Sequence, residues 1–204
     1  NLDYGYENLT DPYSYNQEAA VELLDEAGIV DTNGDGIREL DGQEVVLHYV
    51  TYENRCLDDF AEAIQQQLAE IGIGVDLEIG DSARQWDSYQ SGDFDLNGSN
   101  WTTVGTGDPT EYLAAWCSTS GSDYCGYQND EYDQLFNQLS TTFDEDARRD
   151  IIQRMQQILI DDAVVIVHGY YNSSMISRNS TIGGAAIHTA DYYWLTTEIY
   201  PAAE

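Results

Sequence analysis

The sequence predicts an α/β fold, a mixed sheet flanked by helices, and three observations carry that expectation. Residues 43–52 alternate apolar and polar side chains as a half-buried strand does. Leu57, Phe60, Ala61, Ile64, Leu68 and Ile71 then recur at helical spacing, and Val75, Leu77 and Ile79 alternate again, so strand, helix and strand form a βαβ unit with a parallel pair. A second pass follows, in which Trp86 and Tyr89 lie on a helix leading to a strand at Phe94 and Leu96.

Taken in order, residues 1–14 lack a period and carry turn formers, and they read as a connecting segment. Residues 15–170 read as the α/β body. Its first helix carries Ala19, Ala20, Leu23, Leu24 and Ala27 at helical spacing and is closed by Gly28. After the two βαβ passes, Asp108-Pro109 opens a short helix bearing Tyr112, Leu113 and Trp116. Asn129 caps a helix with Tyr132, Leu135, Phe136 and Leu139. Asp144 caps the longest helix, with Ile151, Ile152, Met155, Ile158 and Leu159 facing inward. The continuous apolar run 163–167 is expected to be a buried strand. Residues 171–204 form an extension rich in Tyr, Ser and Gly, with short strands around Ile182 and in 192–200; it either packs on the body or returns toward another part of the protein.

Charge bounds the setting. The chain has 38 acidic and 7 basic residues, a formal charge of -31, and every basic residue is Arg. Such a charge destabilises a compact body unless salt screens it. The acids are interleaved with periodic apolar residues rather than run together, which is the pattern of an extreme-halophile surface and not of a disordered tail. Nucleic acid and anionic membrane are poor partners for it. No stretch approaches the roughly 20 apolar residues that span a bilayer. Five Asn-x-Ser/Thr sequons, at Asn8, Asn97, Asn100, Asn172 and Asn179, are compatible with export.

Two local patterns point to covalent or metal chemistry. Asp31, Asn33, Asp35 and Glu39, with Gly36 at the turn, match the first half of an EF-hand loop, whose alternating oxygens suit calcium. The twelfth position is Gly42 rather than Glu, and a hairpin turn into the strand at 45–50 explains the same residues by turn chemistry. Cys117 and Cys125 flank a short polar loop that a disulfide would close, contributing on the order of 2.5 kcal/mol; Cys56 is left over.

The stretch 92–113, GDFDLNGSNWTTVGTGDPTEYL, organises the rest. A strand ends in a loop rich in Gly, Thr and Asn around Trp101 and re-enters a helix. In α/β folds small ligands sit at such strand ends. The competing reading is a connecting loop whose Trp fills the core.

Several stretches resemble, in order, the family 5 extracellular solute-binding proteins, the oligopeptide, dipeptide and nickel receptors of ABC importers. They are SYNQEAAVELLDEAGI before the DTNGDGI turn, AEAIQQQLAEIGIGVDLE, GDFDLNGSNW followed by DPTEYL, GYQNDEYDQL, and ARRDIIQRMQQILIDDAVVI. The resemblance implies the C-terminal lobe of a two-lobed periplasmic-binding (type II) fold, without the N-terminal lobe, export signal and lipid anchor; the acidic composition adds the expectation of a halophilic archaeal source. It implies a solute held between lobes, touched by Trp101, Thr102, Thr103, Val104 and Gly105 and by Tyr52, Asn54 and Arg55. It further implies an extracellular, cell-surface receptor that needs no cofactor and works with a membrane permease. Val104 departs from the pattern, standing where peptide-binding members carry an Asp that meets the peptide's amine, which favours a sugar or another neutral solute.

Two other readings compete with a receptor. A calcium-dependent adhesion or structural module rests on the Asp31 loop alone. A hydrolase would need a nucleophile or acid–base pair; Gly-x-Ser-x-Gly is absent, and His48, His168 and His188 lie in unrelated segments.

Overall fold

The computed structural model describes residues 6–104, 107–122, 125–170, 181–185 and 197–201. The chain divides into two compact units. The first spans residues 11–100 with 125–126, and the second gathers residues before 11 with those from Trp101 onward. The division falls inside the stretch 15–170 that the sequence presents as one body.

The first unit is the βαβαβ segment. Its leading helix, α1 (Gln17–Glu26), is capped by Asn16, whose side chain accepts from Ala19 N at 3.0 Å. None of its residues is fully buried, and Leu23 is exposed, so α1 lies on the surface. A two-residue hairpin, β1 (Glu39–Leu40) with β2 (Gln43–Glu44), turns at Asp41-Gly42, both left-handed as a type I′ turn requires. The chain then enters β3 (Val46–Tyr52), crosses through α2 (Leu57–Glu70) to β4 (Gly74–Gly80), and returns through α3 (Ser82–Ser91) to β5 (Leu96–Asn97).

The three-stranded sheet is parallel, in the order β4-β3-β5. The crossover helices α2 and α3 both pack against this sheet, and the usual right-handed crossover would set them on opposite faces. Tyr49, Val50 and Thr51 are accordingly buried in succession, as a strand covered on both faces must be.

The second unit is helical. A 3-10 turn, Tyr6–Asn8, precedes it in sequence. α4 (Thr110–Leu113) runs into a 3-10 turn, Ala114–Trp116, and α5 (Asp130–Leu139) pairs with α6 (Glu145–Asp161). Asn129 and Asp144 cap α5 and α6 as the sequence indicates, accepting from Tyr132 N and Ala147 N at 3.0 Å each. The core joins Leu113, Trp116, Tyr132, Leu139, Ile151, Ile152, Met155, Ile158 and Leu159, and includes Cys117.

One expected element is absent. The run 163–167 is not a strand: Ala163 turns left-handed (φ 51°) after α6, Val164 and Val165 pack on the core, and Ile166 and Val167 are exposed. An apolar run becomes a strand only beside a ladder partner, and this one has none among the described residues. Of the extension 171–204, the described part is an antiparallel pair, β6 (Ile182–Gly183) with β7 (Tyr200–Pro201); the strand expected from residue 192 lies mostly outside the described residues.

Candidate functional site

In the first unit the strand order reverses at β3, the position in an open α/β sheet whose carboxyl end most often receives a ligand. That end leads into Tyr52, Asn54 and Arg55. Asn54 N donates to Tyr52 O at 3.0 Å, Asn54 Oδ1 accepts from Arg55 N at 2.8 Å, and Leu57 N donates to Asn54 O at 3.0 Å. Arg55 (φ 56°) and Cys56 (φ 59°) are consecutive left-handed residues with side chains, a conformation costing about 1 kcal/mol or more each. Tyr52 is half-buried, and Asn54 and Arg55 are exposed.

Beside this turn, β5 leaves the sheet at the same end. Gly98 N donates to Val50 O at 2.8 Å, and Thr51 Oγ1 donates to Gly98 O at 3.1 Å. A Cβ on Gly98 would come within 2.7 Å of Thr51 Oγ1 and 3.0 Å of the Tyr49 hydroxyl, so only glycine fits there. Asn97 is held from behind: Gln85 Nε2 donates to its Oδ1 at 2.5 Å, and its own Nδ2 donates to Ser88 Oγ at 3.0 Å. Hence β5 is short but firmly placed, and the chain leaves it with a fixed exit.

In the second unit, Trp101 is the outermost of three rings. It is 37% exposed and meets Tyr112 edge-on, with centroids 6.1 Å apart; Tyr112 in turn meets Trp116 edge-on at 4.5 Å. Trp116 is buried, and Tyr132 Oη donates to Leu113 O at 2.9 Å, fixing α4 against α5. Trp101 is therefore neither a core residue nor a loose one, but a surface ring braced on the core. Burial pushes the Tyr112 phenol up to about 12, with Tyr170 adding a smaller push.

Thr102 is exposed, Thr103 and Val104 are half-buried, and Gly105 lies outside the described residues. The loop closes on Asp108. Its Oδ1 accepts from Thr110 N at 2.8 Å and from the Thr110 hydroxyl, and its Oδ2 accepts from Arg148 Nη2 at 2.5 Å. Although burial opposes it, these donors together hold the carboxyl below its ordinary range. Arg148 also donates through Nη1 to Leu139 O at 2.8 Å and Thr142 O at 2.9 Å. No spacing in the sequence announces this arginine; only the fold brings it to the loop.

Asp31, Asp35 and Glu39 each offer an oxygen within 4.8 Å of the others. Asp31 accepts from Gly34 N at 2.6 Å and Gly36 N at 2.9 Å, which holds its carboxyl low. Asp35 accepts from Ile37 N at 2.9 Å, and the buried Glu39 accepts from Thr32 N at 2.7 Å. Asn33, exposed, accepts from Asp35 N at 2.8 Å within the same loop. The loop also closes an antiparallel bridge, with Val30 N donating to Glu39 O at 3.3 Å and Glu39 N donating to Val30 O at 3.0 Å, so the same residues serve as a turn.

The expected disulfide is not formed: Cys117 and Cys125 are both thiols. Cys117 is buried in the helical core and meets Thr119 Oγ1 at 3.3 Å, while Cys125 is exposed. The core needs an apolar atom at position 117, and a thiol meets that need without a bond. His48 lies on β3 and meets Glu78 at 3.2 Å; His188 lies outside the described residues.

Residues 1–124 match the family model described as bacterial extracellular solute-binding proteins, family 5, middle. The oligopeptide-binding protein AppA of Bacillus subtilis is 28% identical over 166 residues, 80% of this chain and 31% of its own length. Its structure with a nonapeptide superposes with a TM-score of 0.62 at 25% identity, over 76% of this chain and 32% of that one. Brucella suis NikA, in complex with Fe(III)-EDTA, gives 0.66 at 26% identity, over 80% and 34%. A Thermotoga maritima oligopeptide-binding periplasmic protein bound to mannohexaose gives 0.63 at 26%, over 74% and 30%. The chain thus spans about a third of the length of the relatives it matches.

Proposed function

The chain belongs to the family 5 bacterial extracellular solute-binding proteins, and from that membership we propose that it is the ligand-binding lobe of an extracellular receptor on the cell surface. It captures a small solute, an oligopeptide or similar, and delivers it to the membrane permease of an ABC-type importer. The supporting observation is the Trp101 ring, partly exposed and braced on the helical core by Tyr112 and Trp116. Rings and backbone groups of this kind hold a ligand without acting on it, and no helix among the described residues is long and apolar enough to cross a membrane.

The test is a ligand-dependent melting screen on the full-length gene product, followed by recovery of any solute that binds. A solute that raises the melting midpoint and is recovered unchanged after long incubation supports a receptor. A hydrolysed product makes the protein an enzyme, and a silent screen across peptides, sugars and metal chelates overturns the receptor.

The Asp31–Asp35–Glu39 carboxylates support a second reading, a calcium-dependent extracellular module. The receptor requires no cation, so a calcium-induced rise in melting midpoint that Asp35→Asn abolishes favours the module.

A further inference from the structure

We propose that Asn8 is an N-glycosylation site on the helical unit, a covalent modification separate from solute capture that rests on the extracellular placement above. The first observation is in the sequence. Five of the 11 asparagines begin an Asn-x-Ser/Thr triplet, whereas Ser and Thr fill 27 of the 204 positions, so chance accounts for about one or two of the five.

The triplets differ in what their side chains already do. Asn97 is committed to the fold: its Oδ1 accepts from Gln85 Nε2 at 2.5 Å, and its Nδ2 donates to the buried Ser88 Oγ at 3.0 Å, beside the ladder that pairs it with Val50. A sugar on that nitrogen would break the bond to Ser88 and force a bulky polar group between β5 and α3. Asn100 is half-buried and shares its triplet with Trp101, so a glycan there would cover the ring that supports the receptor. Asn172 and Asn179 lie outside the described residues.

Asn8 meets neither obstacle. It ends the 3-10 turn Tyr6–Asn8, is exposed, and makes no side-chain hydrogen bond among the described residues. Its segment is held by the backbone of a neighbour: Thr10 N donates to Gln157 Oε1 and Gln157 Nε2 donates to Thr10 O, both at 2.8 Å, which ties the triplet to α6 within the same unit. These bonds leave the exposed Thr10 hydroxyl free, so both side chains that define the triplet face solvent. In the transfer, Asn8 Nδ2 forms a bond to the anomeric carbon of a lipid-linked oligosaccharyl phosphate. The bond from that carbon to the phosphate oxygen breaks, the lipid phosphate leaves with the electron pair, and the amide proton passes to solvent. The exporting cell supplies this donor and its transferase.

The experiment is peptide mapping by mass spectrometry of the full-length gene product, purified from outside the organism's own cells. Trypsin, cutting after arginine, separates Asn8, in the peptide ending at Arg38, from Asn97 and Asn100, between Arg84 and Arg148. The expected result is a sugar increment on the first peptide, placed at Asn8 by fragmentation and lost in Asn8→Gln. Thr10→Ala keeps the backbone bonds to Gln157 and should lose the sugar, while Thr10→Ser should retain it, with circular dichroism verifying that the variants fold. An unmodified Asn8 overturns the proposal and leaves the receptor reading standing. Sugar that persists in Thr10→Ala, or that sits on Asn97 instead, overturns it as well. Protein found only in the cytoplasm counts against this proposal and the extracellular receptor together.

Discussion

Arg148 Nη2 and Asp108 Oδ2 stand 2.5 Å apart, joining the end of the Trp101 loop to the first turn of α6. The pair is partly exposed, with side-chain exposures of 22% for Arg148 and 42% for Asp108. Its Coulombic attraction is therefore screened, and the backbone carbonyls matter more. Arg148→Met keeps the stem but leaves Leu139 O and Thr142 O without their donor. The expected cost is about 2 kcal/mol in a denaturant titration. Asp108→Asn should cost less, because the amide oxygen can still accept from Thr110 and Arg148. Equal losses for the two variants would place the energy in the ion pair instead.

Gly98 should tolerate no side chain. In Gly98→Ala the new methyl meets the Thr51 hydroxyl and the Tyr49 phenol, and both belong to the buried centre of β3. Something must shift, and the cheapest movement is loss of the short β5 ladder. Overpacking of this kind costs about 1–3 kcal/mol. Hydrogen exchange at Gly98 N, which donates to Val50 O, should rise well above the wild-type rate. Unchanged protection at that amide would contradict the geometry.

Much of this was legible in the sequence because the relevant forces are local. The period of Leu57, Ala61 and Ile64, the caps Asn129 and Asp144, and Gly28 after α1 are decided within a few residues, and the structure follows them. The parallel pairing of β3 with β4 followed from the length of the crossover. The run 163–167 misled because burial was inferred from composition, while a strand depends on a partner the sequence does not name. Cys117 misled for a related reason: eight positions separate it from Cys125, but its surroundings are set by α5 and α6. At the candidate site, Trp101 stood out as a lone aromatic among glycines and threonines. Its bracing by Tyr112 and Trp116, and the reach of Arg148, depend on how helices distant in sequence come together.

The thiols provide a direct check on the corrected cysteine assignment. A maleimide added to the native protein should label Cys56 and Cys125 quickly, since both are exposed. Cys117 should label only on unfolding. It is buried, and burial pushes its thiol up, which lowers the reactive thiolate fraction further. Mass spectrometry after a short pulse should therefore show two additions, and three in denaturant. A single addition under both conditions would restore the Cys117–Cys125 bond.

Salt and acid should act on this protein through different carboxylates. The bulk of its 38 acidic residues contribute to a net charge of -31, and their repulsion reaches about 10 Å at 0.1 M salt but only about 3 Å at 1 M. The compact state holds those charges closer than the unfolded chain does, so molar KCl should raise the melting midpoint. A midpoint flat from dilute buffer to molar KCl would refute the halophile reading. Mild acid should substitute in part, because protonating crowded, unpaired acids removes the same repulsion. A second set opposes this at lower pH. Arg84 and then His48 hold Glu78 below its ordinary range, and Arg154 does the same for Glu131. A carboxylate depressed in the folded state contributes stability that is complete above its unfolded value. That contribution is lost as pH falls through the lower, folded value. The two effects have opposite slopes, so the midpoint in dilute buffer should pass through a maximum in mild acid and then fall. Glu78→Gln removes one depressed group and should flatten the acid limb without altering the salt response. If the acid limb keeps its full steepness in that variant, the Arg84–Glu78 pair does not contribute to it.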